Sequence, residues 1–299
     1  MLQQDLAVPF FDLGVVAGAA VSEMARTYRH KLFQPEVHVS RLLESCEEIG
    51  FGCSYSKAEL IDAAQQLVAH NSRSITNAED LGVVWFVTAG ANPTYLGQAT
   101  DNKGTVGLHT FRLPFELWAE AAASGVRLRV PSVRQLSTAS LPIHRKVRNR
   151  LHWWLADREA ATMEPGARAL LLDNEGHVTE TSTSAFYIVR DAAILTPATN
   201  VLDSLSGRLV EQAAGDVGLE FRRTSLTMDE VHACDAAFVS STPSGLFEVA
   251  SVDGEQIPSA DIVARLLQWW EQKTGINPRQ QILSVAAVHI GNSGGRDES

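Results

Sequence analysis

The chain has 299 residues, 45% of them hydrophobic and 20% charged, which is material for one large domain or two ordinary ones with buried cores. Lys and Arg number 25 against 35 Asp and Glu, a net charge of −10 at pH 7, so no basic excess is present to neutralise phosphates, and nucleic acid and anionic membranes are excluded as partners. No stretch approaches the ~20 apolar residues of a membrane helix. The opening MLQQDLAVPF carries Asp5 and no basic n-region, which points to a cytoplasmic chain without a signal peptide. Cys46, Cys53 and Cys234 form no CxxC pair and have no partner at metal-ligand spacing, so free thiols in a reducing compartment and no metal site are expected.

In chain order, residues 36–49 place Val37, Leu42, Cys46 and Ile49 near helical spacing, with Glu44, Glu47 and Glu48 turned away. VVWFVT (83–88) is a continuous β-rich run and reads as a buried strand, and 104–112 as a second. A helix over 115–124 stops at Gly125, and VRLRV (126–130) alternates as a strand does. RNRLHWWLADREAATM (148–163) reads as a long helix ended by Pro165-Gly166. Strands follow at 167–173, at HVTE, at 185–189 and at AAILT, then a helix over 206–218 with Ser206 as N-cap. AAFVSST and EVASVDGEQI are strands, the latter turning at Asp253-Gly254. A helix over 260–273 closes the fold. The pattern is α+β: a small N-terminal domain over 1–123, a larger strand-rich domain over 131–290, and a disordered tail at 291–299.

Only five of the 25 basic residues are lysine: Lys31, Lys57, Lys103, Lys146 and Lys273. Unlike arginine, lysine can lose its proton and act as nucleophile or base. Lys146 stands among Arg145, Arg148 and Arg150, and packed cations favour its neutral amine. Beyond it come Glu180 at a strand end, a loop entering a helix at Ser206 whose free amides suit an anion, and Ser240, Ser241 and Thr242 at another strand end.

In order and spacing these features resemble the class IV aminotransferases, the fold type IV enzymes that include branched-chain and D-amino acid aminotransferases and aminodeoxychorismate lyase. The resemblance rests on Lys146, Thr179-Glu180, Thr196-Pro197 with LDSLS (202–206), Thr242, and EVASVDG (248–254). DLGVVAGAAVSEMARTYRHKLFQPEVHVSRLLES is similar to the family's N-terminal "G…fEt.r…H..RL..S" and puts Arg41 on its phosphate-binding arginine. The family implies a D-amino acid aminotransferase-like fold with a C-terminal pseudo-barrel, pyridoxal 5′-phosphate as cofactor, amino acid and 2-oxo acid substrates, and a homodimer. It further implies that Lys146 joins the cofactor aldehyde and later moves the substrate's α-proton. Glu180 would keep the pyridine nitrogen protonated, and Leu202 would lie on the ring face. Arg41, the amides of Leu205 and Ser206, and the hydroxyls of Ser206 and Thr242, with Ser241 beside them, would hold the phosphate. The alternative for Arg41 is a surface ion pair with Glu44 or Glu47.

Three departures from the pattern stand out. Ser204 and Asp203 replace the phosphate loop's glycine and proline, so Asp203 has to angle its charge away. Leu151 stands where branched-chain enzymes carry tyrosine, and KVRNRL is closer to the lyase's "K..NRL". Pro243 offers no amide where branched-chain enzymes grip the substrate carboxylate. VVWFVT lacks the branched-chain enzymes' Tyr-x-Arg, and ANPTYLG lacks the arginine and histidine of the D-amino acid enzymes. Arg26, Arg148 and His109 are the candidates to replace these grips, and Trp85, Phe86 and Phe247 are expected to line an apolar pocket for a hydrophobic donor. The expected activity is transamination of branched-chain L-amino acids with little on D-alanine, the lyase reaction being the alternative and a non-catalytic cofactor-binding homologue the remote one.

Overall fold

The computed structural model describes residues 7–101 and 103–293. It divides into two compact units, one built on the chain up to Leu113 together with Arg145–Arg150, the other on Pro114–His144 together with the chain from Leu151 onward. The sequence puts the division near 124–131; in the structure the helix after Pro114 belongs to the second unit and the six residues around Lys146 to the first. Residues 1–6 of the segment read for a leader, and 294–299 of the expected tail, lie outside the described residues.

The first unit holds α1 (Leu13–Val16), β1 (Ala20–Tyr28), β2 (Lys31–Leu32), α2 (Pro35–Ile49), α3 (Lys57–Asn71), β3 (Leu81–Thr88), α4 (Pro93–Leu96) and β4 (Val106–Arg112). The strands form an antiparallel sheet in the order β2-β1-β3-β4. Side chains alternate across a strand, and the core takes Val21 and Ala25 of β1 and Val83, Trp85 and Val87 of β3 against Val39, Leu42 and Cys46 of α2 and Leu60, Ala64 and Val68 of α3. Helix α2 therefore buries a face shifted from the expected one: Val37 is exposed, whereas His38, Val39, Leu42 and Cys46 point inward. Helix α3 is opened by a capping box between Ser56 and Glu59. Cys46 sits so deep in this core that burial, with Cys53 nearby, pushes its thiol up to about 12, an inert group rather than a nucleophile.

The second unit comprises α5 (Phe115–Ser124), β5 (Val126–Arg129), α6 (Leu151–Met163), β6 (Arg168–Leu172), β7 (Val178–Thr181), β8 (Ala185–Arg190), β9 (Ala193–Pro197), α7 (Leu205–Asp216), β10 (Glu220–Thr224), α8 (Met228–His232), β11 (Ala236–Ser241), β12 (Gly245–Val252), β13 (Glu255–Gln256), α9 (Asp261–Thr274) and α10 (Pro278–Ser293). Its mixed sheet runs β10-β9-β8-β11-β12-β5-β6-β7, with β13 paired to β12. The β12–β13 hairpin turns through Asp253 and Gly254, both at positive φ (49° and 86°), a turn that Asp-Gly adopts readily. The fold is thus α+β, as its composition pattern predicts.

Two helices begin later or earlier than the sequence suggests. The expected helix from residue 148 starts only at Leu151, because Val147 is drawn into an antiparallel bridge with Val21 of β1. The helix expected from Ser206 starts at Leu205, and the cap is Ser204, whose side chain accepts from the Gly207 amide. Helix α9 does not close the chain, since α10 follows and packs with α5 against β12. Among the described residues no helix is long and apolar enough to cross a membrane.

Asp80 anchors the rim of the first unit: it accepts from the Thr27 hydroxyl at 2.6 Å, from the His30 amide at 3.0 Å and from the buried Arg26 guanidinium at 3.4 Å. Asp80→Ala leaves Arg26 buried without its counter-charge, and urea unfolding is expected to show a loss of about 3–5 kcal/mol.

Candidate active site

Lys146 lies in the first unit. Its carbonyl accepts from the Ser22 amide at 3.0 Å, and the Arg148 amide donates to Ala20 at 2.8 Å, the two bonds flanking the Val21–Val147 bridge. Val147 packs into the helix-covered core, so Lys146 and Arg148 emerge on the opposite face, shared with Ser22, Met24, Phe86 and His109. Phe86 lies across Gly107 of β4, where a Cβ would fall 2.0 Å from its ring, so glycine is needed there to receive it. Trp85 points the other way. It is fully buried, donates from Nε1 to the Leu60 carbonyl at 3.1 Å, and cannot line a pocket on the Lys146 face, contrary to expectation.

Arg41 is buried on the inner side of α2, not on its surface. Its Nε and Nη2 donate to the two Glu23 oxygens at 2.6 and 2.7 Å, and His38 Nδ1 lies 3.1 Å from the same carboxylate. Burial alone would raise Glu23, but the Arg41 charge and the hydrogen bonds from His38 and Arg41 outweigh it and hold the carboxyl far below the usual range. The surface alternative for Arg41 therefore fails, and Glu44, with Glu48, pairs with Arg145 instead. Arg26, one of the three candidate carboxylate grips, is taken by Asp80 and by the Tyr28 ring, 4.1 Å from its guanidinium carbon.

In the second unit, Glu180 lies one residue before the end of β7 and is buried. Its Oε1 accepts from the Leu202 amide at 3.1 Å and from Gln135 Nε2 at 3.3 Å. Gln135 Oε1 in turn accepts from the Leu136 amide and lies 3.1 Å from His152 Nε2, which must carry the proton because a carbonyl oxygen only accepts. Gln135 and His152 orient the carboxylate without any sequence signal of their own. Glu180 and Leu202 share a cavity of about 230 Å³ with Thr179, His144, Ser204 and Gly207.

The entrance to α7 is a chain of hydroxyls. Tyr187 meets Ser240 at 3.0 Å, Ser240 meets Ser206 at 3.0 Å, and Ser206 meets Ser204 at 2.9 Å. Burial raises the Tyr187 hydroxyl, which stays protonated. With Tyr187 donating to Ser240, each hydroxyl donates to the next, and the Ser204 O–H remains over for an anion at the helix end. The first-turn amides of Leu205 and Ser206 have no intrahelical acceptor, and they add donors at the same end. Ser204 has an extended backbone (φ −75°), so no glycine is required at this position of the loop, and Asp203 turns its carboxylate onto Arg208, away from these donors. Ser240, not Ser241, faces this cluster. Ser241 bonds Ser244 at 2.7 Å, and Thr242 stands half-buried in the turn between β11 and β12.

These donors fit a phosphorylated pyridine: a buried carboxylate for a protonated ring nitrogen, an aliphatic wall, and a hydroxyl-lined helix end for a phosphate. A family model for class IV aminotransferases matches residues 20–252. The chain belongs to the class IV aminotransferase family. Class IV aminotransferases use pyridoxal 5′-phosphate. The chain is 29% identical to the D-alanine aminotransferase of Bacillus licheniformis over 87% of its length and 88% of that protein. It is 26% identical to a Rickettsia felis protein named "Probable branched-chain-amino-acid aminotransferase", over 78% of each. The Escherichia coli branched-chain amino acid aminotransferase structure is similar in fold, with a TM-score of 0.84 at 22% identity over 92% of this chain and 91% of that one.

The buried Glu23–Arg41 pair gives this class IV aminotransferase a defined acid limit. A carboxyl depressed in the folded state adds stability above its unfolded value near 4, and that stability is lost as pH falls below it. Glu23→Gln is expected to lose about 3–5 kcal/mol at pH 7. Urea midpoints between pH 7 and 3 should fall less steeply for the variant than for the parent.

Proposed function

We propose that the chain is a pyridoxal 5′-phosphate-dependent transaminase that passes an amino group between a hydrophobic amino acid, branched-chain L-amino acids foremost, and a 2-oxo acid, working as a cytoplasmic homodimer. The observation that carries the reading is the fixed presentation of Lys146, pinned on both sides to β1 and turned away from the helix-covered core. In the chain it follows two residues after His144, which lines the cavity of Glu180 and Leu202. Lys146 Nζ is the amine that attaches the cofactor and afterwards takes and returns the substrate's α-proton. Glu180 receives the pyridine N–H, Leu202 covers the ring, and Arg41, the amides of Leu205 and Ser206, and the Thr242 hydroxyl serve the phosphate, while the Ser206 and Ser241 hydroxyls bond Ser204 and Ser244. Ser204 joins that set through its unassigned O–H. When bound, pyridoxal phosphate supplies the aldehyde that exchanges amino groups and the ring that takes up carbanion charge. A hydrophobic donor suits the aromatic surface of Phe86 beside Met24 on the Lys146 face.

Lys146→Ala is expected to abolish both turnover and borohydride-stable attachment of the cofactor, while Lys57→Ala and Lys103→Ala keep both. Attachment that persists in Lys146→Ala overturns the assignment. On a panel of single donors with 2-oxoglutarate, L-leucine should outpace D-alanine; the reverse order, or turnover of aminodeoxychorismate alone, refutes the substrate class. Static light scattering at micromolar concentration is expected to give twice the 32.5 kDa chain mass, and a fully active monomer contradicts the dimer.

A further inference from the structure

An α-amino acid brings a carboxylate with its amine, and such an anion is poorly accommodated in a buried site without a cation or several donors to replace its water. Pro243 supplies no amide, and Arg26 is committed to Asp80. On the Lys146 face of the first unit three groups remain. Arg148 emerges two residues after Lys146 on the same face, and side chains at that spacing on an extended segment start about 7 Å apart. Its guanidinium has no hydrogen bond or ion pair with any other described residue, whereas Arg145, on the opposite face, is held by Glu44 and Glu48. Ser22, opposite Lys146 across the bridge, is 3% exposed, and its Oγ is buried with no hydrogen-bond partner among the described residues. A buried hydroxyl left unsatisfied calls for a missing partner. His109 stands on the same face; burial, with the Arg148 charge a lesser contributor, keeps its imidazole below its ordinary value, so near neutral pH it is a neutral donor rather than a competing cation.

We propose that Arg148, supported by the Ser22 hydroxyl and by His109, binds the α-carboxylate of the amino donor and of the 2-oxo acid, which makes this chain selective for substrates bearing a carboxylate next to the reacting carbon. Arg148 and Lys146 then grip the two ends of one small molecule from one short segment held against β1. The charge beside Lys146 is used for recognition, and the carboxylate neutralises it on arrival. The inference rests on the transaminase reading above and adds the group that recognises the substrate.

The test measures binding rather than turnover. The cofactor-loaded protein is titrated calorimetrically with 4-methylpentanoate, which carries the carboxylate but no amine, and with the neutral 4-methylpentanamide. The acid should bind the parent protein and the amide should not. Arg148→Gln should weaken the acid by about 100-fold, the size of one lost charged hydrogen-bonding pair. Ser22→Ala should weaken it by about tenfold, and Arg148→Lys should recover part of the loss. Arg145→Gln, which removes a neighbouring charge from the opposite face, should stay within about threefold of the parent, because that charge is already compensated by Glu44 and Glu48. Cofactor absorbance and borohydride-stable attachment must be unchanged in Arg148→Gln, so a failure of the transaminase reading, which shows in Lys146→Ala, is separable from a failure here. Equal affinity for the acid in Arg148→Gln and the parent, equal binding of acid and amide, or no binding of the acid to the parent overturns the proposal.

Discussion

Two main-chain hydrogen bonds, Ser22 to the Lys146 carbonyl and Arg148 to the Ala20 carbonyl, govern how the centre of this chain is presented. They fix the register of a short segment against the edge of β1. Because side chains on a strand alternate, a slip of one residue would send Lys146 and Arg148 into the core beside Trp85 and bring Val147 out. The register is enforced by the apolar packing of Val147, so the polar chemistry of the face depends on a single partly buried valine behind it. The same alternation separates Phe86 from Trp85, neighbours in sequence that serve opposite sides of the sheet.

Much of this organisation is legible in the sequence, and what is not has local reasons. VVWFVT, the helix ended by Gly125, and the Asp253-Gly254 hairpin follow from periodicity and turn chemistry, which act over a few residues. The ordered set of Lys146, Glu180, the 202–206 loop and Thr242 carries the family. The helix runs back to residue 148 in the sequence pattern because RNR has good helix formers and nothing local reveals that β1 claims this stretch. Periodicity on α2 named Val37 in place of His38 and Val39, since Arg41 and His38 are buried polar residues that a hydrophobic pattern counts as outside. The partner that draws them in, Glu23, lies on β1 within VSEMAR, a stretch already singled out for resemblance to "fEt.r". Gln135 and His152 gave no sign at all, because they act through Glu180 and come together only in the folded chain.

The two units meet the problem of buried polarity in different ways. In the first, charge is matched to charge: Glu23 with Arg41, Asp80 with Arg26. In the second, the α7 entrance is lined by neutral hydroxyls in series, Tyr187 to Ser204, with the carboxylate of Asp203 diverted to Arg208. Neutral donors leave the helix end free to take up negative charge without first displacing a resident carboxylate. An anion there meets donors already oriented by one another, which lowers the reorganisation that binding demands.

The membership of residues 145–150 in the first unit bears on how the chain is made. A ribosome delivers residues in order, and the strand edge of β1 stays open until Val147 has emerged, well over thirty residues after Leu113 completes the rest of that unit. During that interval the unit has an unpaired backbone edge of the kind that other strands can invade. A fragment ending at Leu113 would keep that defect permanently and would lack the lysine as well. The first unit is therefore finished only after the chain has passed through the beginning of the second, and the two are coupled in biogenesis even though each has a core of its own.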